Sequence, residues 1–155
     1  MAEEIVASGT TIQTLDSLAA NEFAVEVDGQ PVTGILRISG FFSFKLDVKT
    51  TNTLKKKEEA FKLAKMAQRD GNNPINRWIR ESTAAGIDIV RPTRTVTIKA
   101  MDDGTETRCW TIKDAWISEI GYSDFNTSSG EIMEETLLIQ YKDVEESWPA
   151  TPNLE

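Results

Sequence analysis

The sequence predicts a mainly β fold with one α-helix, a β-sandwich or barrel with the helix packed on it. Three observations lead there. Stretches such as Trp110–Val144 alternate apolar and polar residues with the period of a half-buried strand. Turn signals recur between the stretches, among them Asp28-Gly29 and Asp102-Asp103-Gly104. A single strong helix start, Asn73-Pro74, interrupts the β pattern.

In chain order, residues 1–20 are mixed in composition, with a turn signal at Ser8–Thr11, and read as an N-terminal arm, free or bound to a partner. Phe23, Val25 and Val27 then share one face of a strand that ends at Asp28-Gly29. A second strand covers Val32–Ile38, interrupted by Gly34, and Ser39-Gly40 marks a bend. Phe41–Thr50 alternates, with Phe42, Phe44, Leu46 and Val48 expected inward and Ser43, Lys45, Asp47 and Lys49 outward. Leu54–Gln68 is open between helix and strand: its Lys, Glu, Ala, Leu and Met favour a helix, while Ala60–Ala67 alternates weakly. Asn73 caps a helix from Pro74 to about Ala85, with Ile75, Trp78, Ile79 and Ser82 as its buried stripe and Gly86 as its stop. Arg94–Met101, Glu106–Lys113, Trp116–Ile120 and Ile132–Lys142 complete the strands. Residues 21–146 thus form the domain, and 147–155, with Trp148-Pro149 and Pro152, an irregular tail.

Composition excludes several classes of function. In a chain of 155 residues, one domain's worth, the formal net charge is −8, and the Lys55–Lys57 run is followed at once by Glu58 and Glu59. Phosphate binding needs clustered cations, so no nucleic-acid surface is expected. No histidine is present, which removes the usual general base and the commonest metal ligand, and no cofactor is implied. Cys109 stands alone in a strand-like run, without a disulfide partner, as in a reducing compartment. Neither a signal peptide nor an eighteen-residue apolar run is found, so cytoplasmic assembly and no membrane segment are expected.

The order of motifs resembles the tail-tube protein family of contractile phages and contractile injection systems, related to the type VI secretion tube protein. The matching pieces lie within about Asn21–Val144: Val27-Asp28-Gly29, Ile38-Ser39-Gly40, Trp78-Ile79, the run Trp110–Trp116, Asp124–Ile132, and Glu134–Leu137. Between Thr50 and Asp70 the chain departs from the family's pattern. The resemblance implies two packed antiparallel sheets with one helix, six copies in a ring, a hollow tube of stacked rings with a continuous β-barrel lumen, a contractile sheath around it, and baseplate, spike and tube-terminator partners, with protein as possible cargo. It implies that Ser43, Lys45, Asp47, Glu134, Thr136 and Gln140 face the lumen or neighbouring subunits, with Phe42, Phe44, Leu46, Leu137, Ile139 and Tyr141 in the core. An acidic lumen is expected from the net charge. A baseplate-proximal tube initiator is the alternative within the same apparatus.

Two other classes of function make different demands on these residues. A monomeric ligand-binding β-sandwich would use Trp78, Trp110 or Trp116 as stacking platforms, with Trp148 a candidate for docking a partner. A glycosidase would need paired carboxylates, but Glu134 and Glu135 are successive strand residues and point to opposite faces. Asp102-Asp103-Gly104 with Glu106 lacks the twelve-residue pattern of a calcium loop.

Overall fold

A computed structural model describes residues 17–48, 54–56, 59–87 and 90–152, with residues 47, 48 and 54–56 described by their backbone alone. The Ser8–Thr11 turn and most of the N-terminal arm lie outside these residues. The element order is β1 (Phe23–Val27), β2 (Gln30–Val32), β3 (Ile35–Ser39), β4 (Leu46–Val48), β5 (Leu54–Lys56), β6 (Glu59–Met66), α1 (Pro74–Ala85), β7 (Arg94–Asp102), β8 (Thr105–Tyr122), β9 (Glu134–Tyr141) and β10 (Asp143–Ser147). Leu54–Gln68 is therefore strand over most of its length. Its good helix formers are overridden because β6 is paired on both sides, with β3 and with β9.

Hydrogen bonds join eight strands into one antiparallel sheet in the order β2-β1-β7-β8-β9-β6-β3, with β10 alongside β8. The 18-residue β8 is shared. Its first part, to Ala115, pairs with β7, and Trp116–Tyr122 pairs with β9. Two arms result, β2-β1-β7-β8-β10 and β8-β9-β6-β3. Val25, Val27, Val96, Ile98 and Ile112 from the first arm and Phe61, Leu63, Leu137 and Ile139 from the second form one hydrophobic cluster.

The two strands expected at Glu106–Lys113 and Trp116–Ile120 are halves of β8. Ile112 is buried but so are Ala115 and Ile117, so the inward parity changes between them. Asp114, at φ 55°, absorbs the extra residue, where the register opposite Arg94 and Val96 shifts. Such a bulge bends the strand and re-aims its side chains, which lets one strand serve both arms.

The Asp28-Gly29 turn forms as expected, with φ of 51° and 79° joining β1 to β2. Both central residues of such a turn need positive φ, which Asp and Gly tolerate. Beyond it, Gly34 separates two strands rather than interrupting one: β2 pairs with β1, whereas β3 pairs with β6 in the other arm. In α1, the Asn73 side chain accepts from the Asn76 N–H at 2.8 Å and Pro74 opens the first turn. Ile75, Trp78 and Ile79, spaced i, i+3, i+4, are buried, while Ser82 is half-buried. The Trp78 Nε1–H donates to the Pro92 carbonyl at 2.9 Å, so its indole is buried without an orphaned donor.

Phe41–Thr50 differs from expectation. Only Leu46–Val48 is strand among the described residues, paired with Leu54–Lys56 in a separate hairpin. Phe42, Phe44 and Leu46 are 47%, 67% and 40% exposed, and Phe41 packs against the core instead, edge-on to Phe61 at 5.6 Å and to Trp110 at 6.1 Å. The phase slips by one residue because Gly40, at φ 72°, turns the chain out of an extended path. Tyr141 then fixes the new phase: its hydroxyl donates to the Phe42 carbonyl at 2.7 Å and accepts from the Phe42 N–H at 3.2 Å. At the other end, Asp143–Ser147 is a further strand, so the irregular tail begins at Trp148.

Candidate functional site

The second arm carries a partly exposed polar wall with an edge at each end that is unpaired among the described residues. Along β9, Glu135, Leu137, Ile139 and Tyr141 are buried, and Glu134, Thr136, Leu138 and Gln140 are half-buried on the opposite face. Register extends both faces across the arm. Phe61 pairs with Ile139 and Leu63 with Leu137 on the inner face, and Lys62 pairs with Leu138 and Ala64 with Thr136 on the outer. Arg37 and Ser39 of β3, opposite Ala64 and Lys62, and Glu119 of β8, opposite Leu138, continue the outer face.

This outer face is polar and internally paired. The Arg37 guanidinium lies 3.0 Å from Glu134 Oε1. Gln140 Nε2 donates to Ser118 Oγ at 3.0 Å, and Ser118 Oγ donates to the Leu138 carbonyl at 3.2 Å. Arg37 and Lys62 balance Glu119 and Glu134, so the formal charge of −8 does not sit here.

At one end of the arm, β3 pairs only with β6 among the described residues; at the other, Trp116–Tyr122 pairs only with β9. Unpaired edges of this kind template pairing with another chain. Beside the arm stands the hairpin of β4 and β5, with Phe42, Phe44 and Leu46 exposed at its base. Full burial of a phenylalanine is worth roughly 1.5–3 kcal/mol, and Phe42 and Phe44, 47% and 67% exposed, would gain the outstanding part of that by burial against another surface.

The six candidate residues divide. Glu134, Thr136 and Gln140 share the outer face of β9. Ser43 and Lys45 are elsewhere, half-buried at the hairpin base, where Ser43 Oγ donates to Glu146 Oε1 at 3.2 Å and Lys45 Nζ lies 3.4 Å from Glu59. The backbone of Asp47 falls in β4, and its side chain is outside the description. Sequence reasoning missed Arg37, Lys62 and Glu119, whose place on the face depends on the strand neighbours of β3, β6 and β8. Alternation at Ala60–Ala67 was the available signal.

Other chemistries find little support. Glu135 is buried and bonded to Lys65, while Glu134 faces the opposite way, so the two carboxylates do not converge. Trp78 is buried, and Trp110 stacks within the protein against Phe41 and Arg108. No group of three His, Cys, Asp or Glu among the described residues is placed to hold a metal ion. Likewise, no helix among them is long and apolar enough to cross a membrane.

Comparison with solved structures places the fold. The chain is similar to the sheath-tube complex subunit of an extracellular contractile injection system, PVC, in its extended state, with TM-score 0.64 and 14% identity over 92% of this chain and 99% of that one. It is similar to the tube-terminating cap of the anti-feeding prophage, with TM-score 0.64 and 15% identity over 84% and 91% of the two chains. It also resembles Hcp1 from Flavobacterium johnsoniae, with TM-score 0.54 and 10% identity over 82% and 95%. No curated protein matches the sequence. Residues 19–145, spanning both arms, the helix and the hairpin, match the family model described as T4-like virus tail tube protein gp19, and the chain belongs to that family.

Proposed function

We propose that this chain is a structural subunit of the inner tube of a contractile injection system or phage-like tail. Copies close into a hexameric ring by pairing the free edge of β3 with that of Trp116–Tyr122 on the next copy. Rings stack through the β4–β5 hairpin, burying Phe42, Phe44 and Leu46. The outer face of β3-β6-β9-β8, with Arg37, Lys62, Glu119, Glu134, Thr136 and Gln140, lines the lumen. Its balanced charge suits passage of cargo without retention. The first arm, packed behind this wall, completes a two-layered protomer whose domain spans 21–147, with the arm at 1–20 and the tail at 148–155 as appendages.

One observation carries this reading. Among the described residues, a four-stranded arm has one buried face, one partly exposed polar face and two unpaired edges, which is the unit a closed β-walled ring requires. No chemistry is assigned to the chain. A contractile sheath outside the tube and baseplate and terminator proteins at its ends are the expected partners, in line with the assemblies named for the similar structures. Assembly in the cytoplasm before incorporation into a particle is part of the same reading.

Light scattering on the purified chain, with negative-stain imaging, tests it. Six-membered rings or tubes are expected. A monomer that persists at high concentration and in the presence of a cognate sheath would overturn the proposal.

A further inference from the structure

We infer that Glu146 and Trp148 are positioning residues for the β4–β5 hairpin, locking its base from the C-terminal end of the chain. Both lie beyond residue 145, where the family match stops. The contacts form a closed circuit. Ser43 Oγ donates to Glu146 Oε1 at 3.2 Å, and the other oxygen of Glu146 receives the Arg108 guanidinium. Arg108 stacks over the Trp110 ring at 5.2 Å, and Trp110 meets Phe41 edge-on at 6.1 Å. Phe41 is two residues from Ser43, so the circuit closes through the backbone that leads into the hairpin. Trp148 covers it, with its ring 4.0 Å from the Arg108 guanidinium.

The covering matters because an ion pair open to water holds a side chain weakly. With the Trp110 and Trp148 rings both against it, the guanidinium is shielded from part of the surrounding water, and its attraction to Glu146 is screened less than in an open pair. Arg108 Nε is buried without a hydrogen-bond partner, so this side chain is held by its Glu146 contact and by the two rings against it. Through Arg108, Trp148 steadies Glu146, and through Glu146 it steadies Ser43. The tail thereby orders a hairpin that Trp148 itself reaches only through these partners.

This positional role stands apart from tube formation. Its consequence, that the tail sets how readily rings stack, rests on the tube reading. Amide hydrogen exchange on the dilute full-length protomer reads the first, in peptides covering residues 42–48. Trp148→Ala and Glu146→Ala are expected to speed exchange there roughly three- to tenfold, with β6 and β9 unchanged. Trp148→Phe, which keeps a ring over the cation, is expected to restore slow exchange. Unchanged exchange in both alanine variants overturns the inference, as does an equal rise in β6 and β9 or a failure of Trp148→Phe to protect. Tube length in negative stain reads the second: a loosened hairpin with normal tubes leaves the positioning role intact and removes the hairpin from stacking.

Discussion

Lys65 Nζ lies 2.6 Å from Glu135 Oε1 and 3.1 Å from Asn76 Oδ1, tying β6, β9 and α1 together at a point where Lys65 is fully buried. Asn76 in turn donates to the Asp70 carbonyl at 2.8 Å, so the three side chains satisfy one another beneath the helix. A buried ion pair of this kind is costly to break from one side, because the surviving charge stays desolvated.

Glu135→Ala is therefore expected to destabilise the protomer by about 3–5 kcal/mol in urea unfolding. The double variant Lys65→Met/Glu135→Leu should recover most of that loss, since neither charge is then left alone. Recovery to less than half would show that the pair contributes net stability rather than specifying the register of β6 on β9.

Trp78 separates packing from hydrogen bonding. Trp78→Ala empties a fully buried site and is expected to cost about 3–5 kcal/mol. Trp78→Phe keeps most of the ring but orphans the Pro92 carbonyl, and should cost about 1–3 kcal/mol. Thermal unfolding followed by circular dichroism ranks the two.

Alkaline pH should loosen the hairpin base. Burial chiefly, with the Glu59 carboxylate adding to it, raises the Tyr141 phenol above its ordinary value of 10.0, against the opposing hydrogen bond from the Phe42 backbone. A group whose pKa is raised by folding stabilises fully below its unfolded value and loses that contribution as pH climbs through the folded one. The stability Tyr141 supplies is thus complete below about pH 10 and declines above it. Tyr141→Phe should lower stability at neutral pH by about 1 kcal/mol and flatten the alkaline decline in urea titrations. An equally steep decline in the variant would assign the effect to another group.

Assembly and folding should part at the hairpin. Phe44→Asp alters a residue that is 67% exposed, so the protomer's unfolding free energy should shift by no more than about 0.5 kcal/mol. Ring stacking, by contrast, should fail, leaving single rings by negative stain where the parent forms tubes. Tubes of normal length from this variant would remove Phe44 from the stacking contact.

Much of this architecture was legible in the chain. Alternation over Glu134–Tyr141 determined which face of β9 is buried, because a strand's side-chain period of two holds in any sheet. Asn73-Pro74 determined where the helix starts, and Asp28-Gly29 where a hairpin turns, because caps and tight turns are settled by neighbouring residues. The tertiary structure decided the rest. Glu59–Met66 became a strand despite helix-forming residues because β3 and β9 flank it. Phe41 rather than Phe42 entered the core because Tyr141, 99 residues away in sequence from Phe42, holds that backbone. The acidic run Asp143–Ser147 was drawn into a strand by β8, and the charge of the polar face followed from which strands came to lie side by side. Periodicity records which side of an element is apolar, while the neighbours that element acquires, and any one-residue slip between them, are set by contacts distant in sequence.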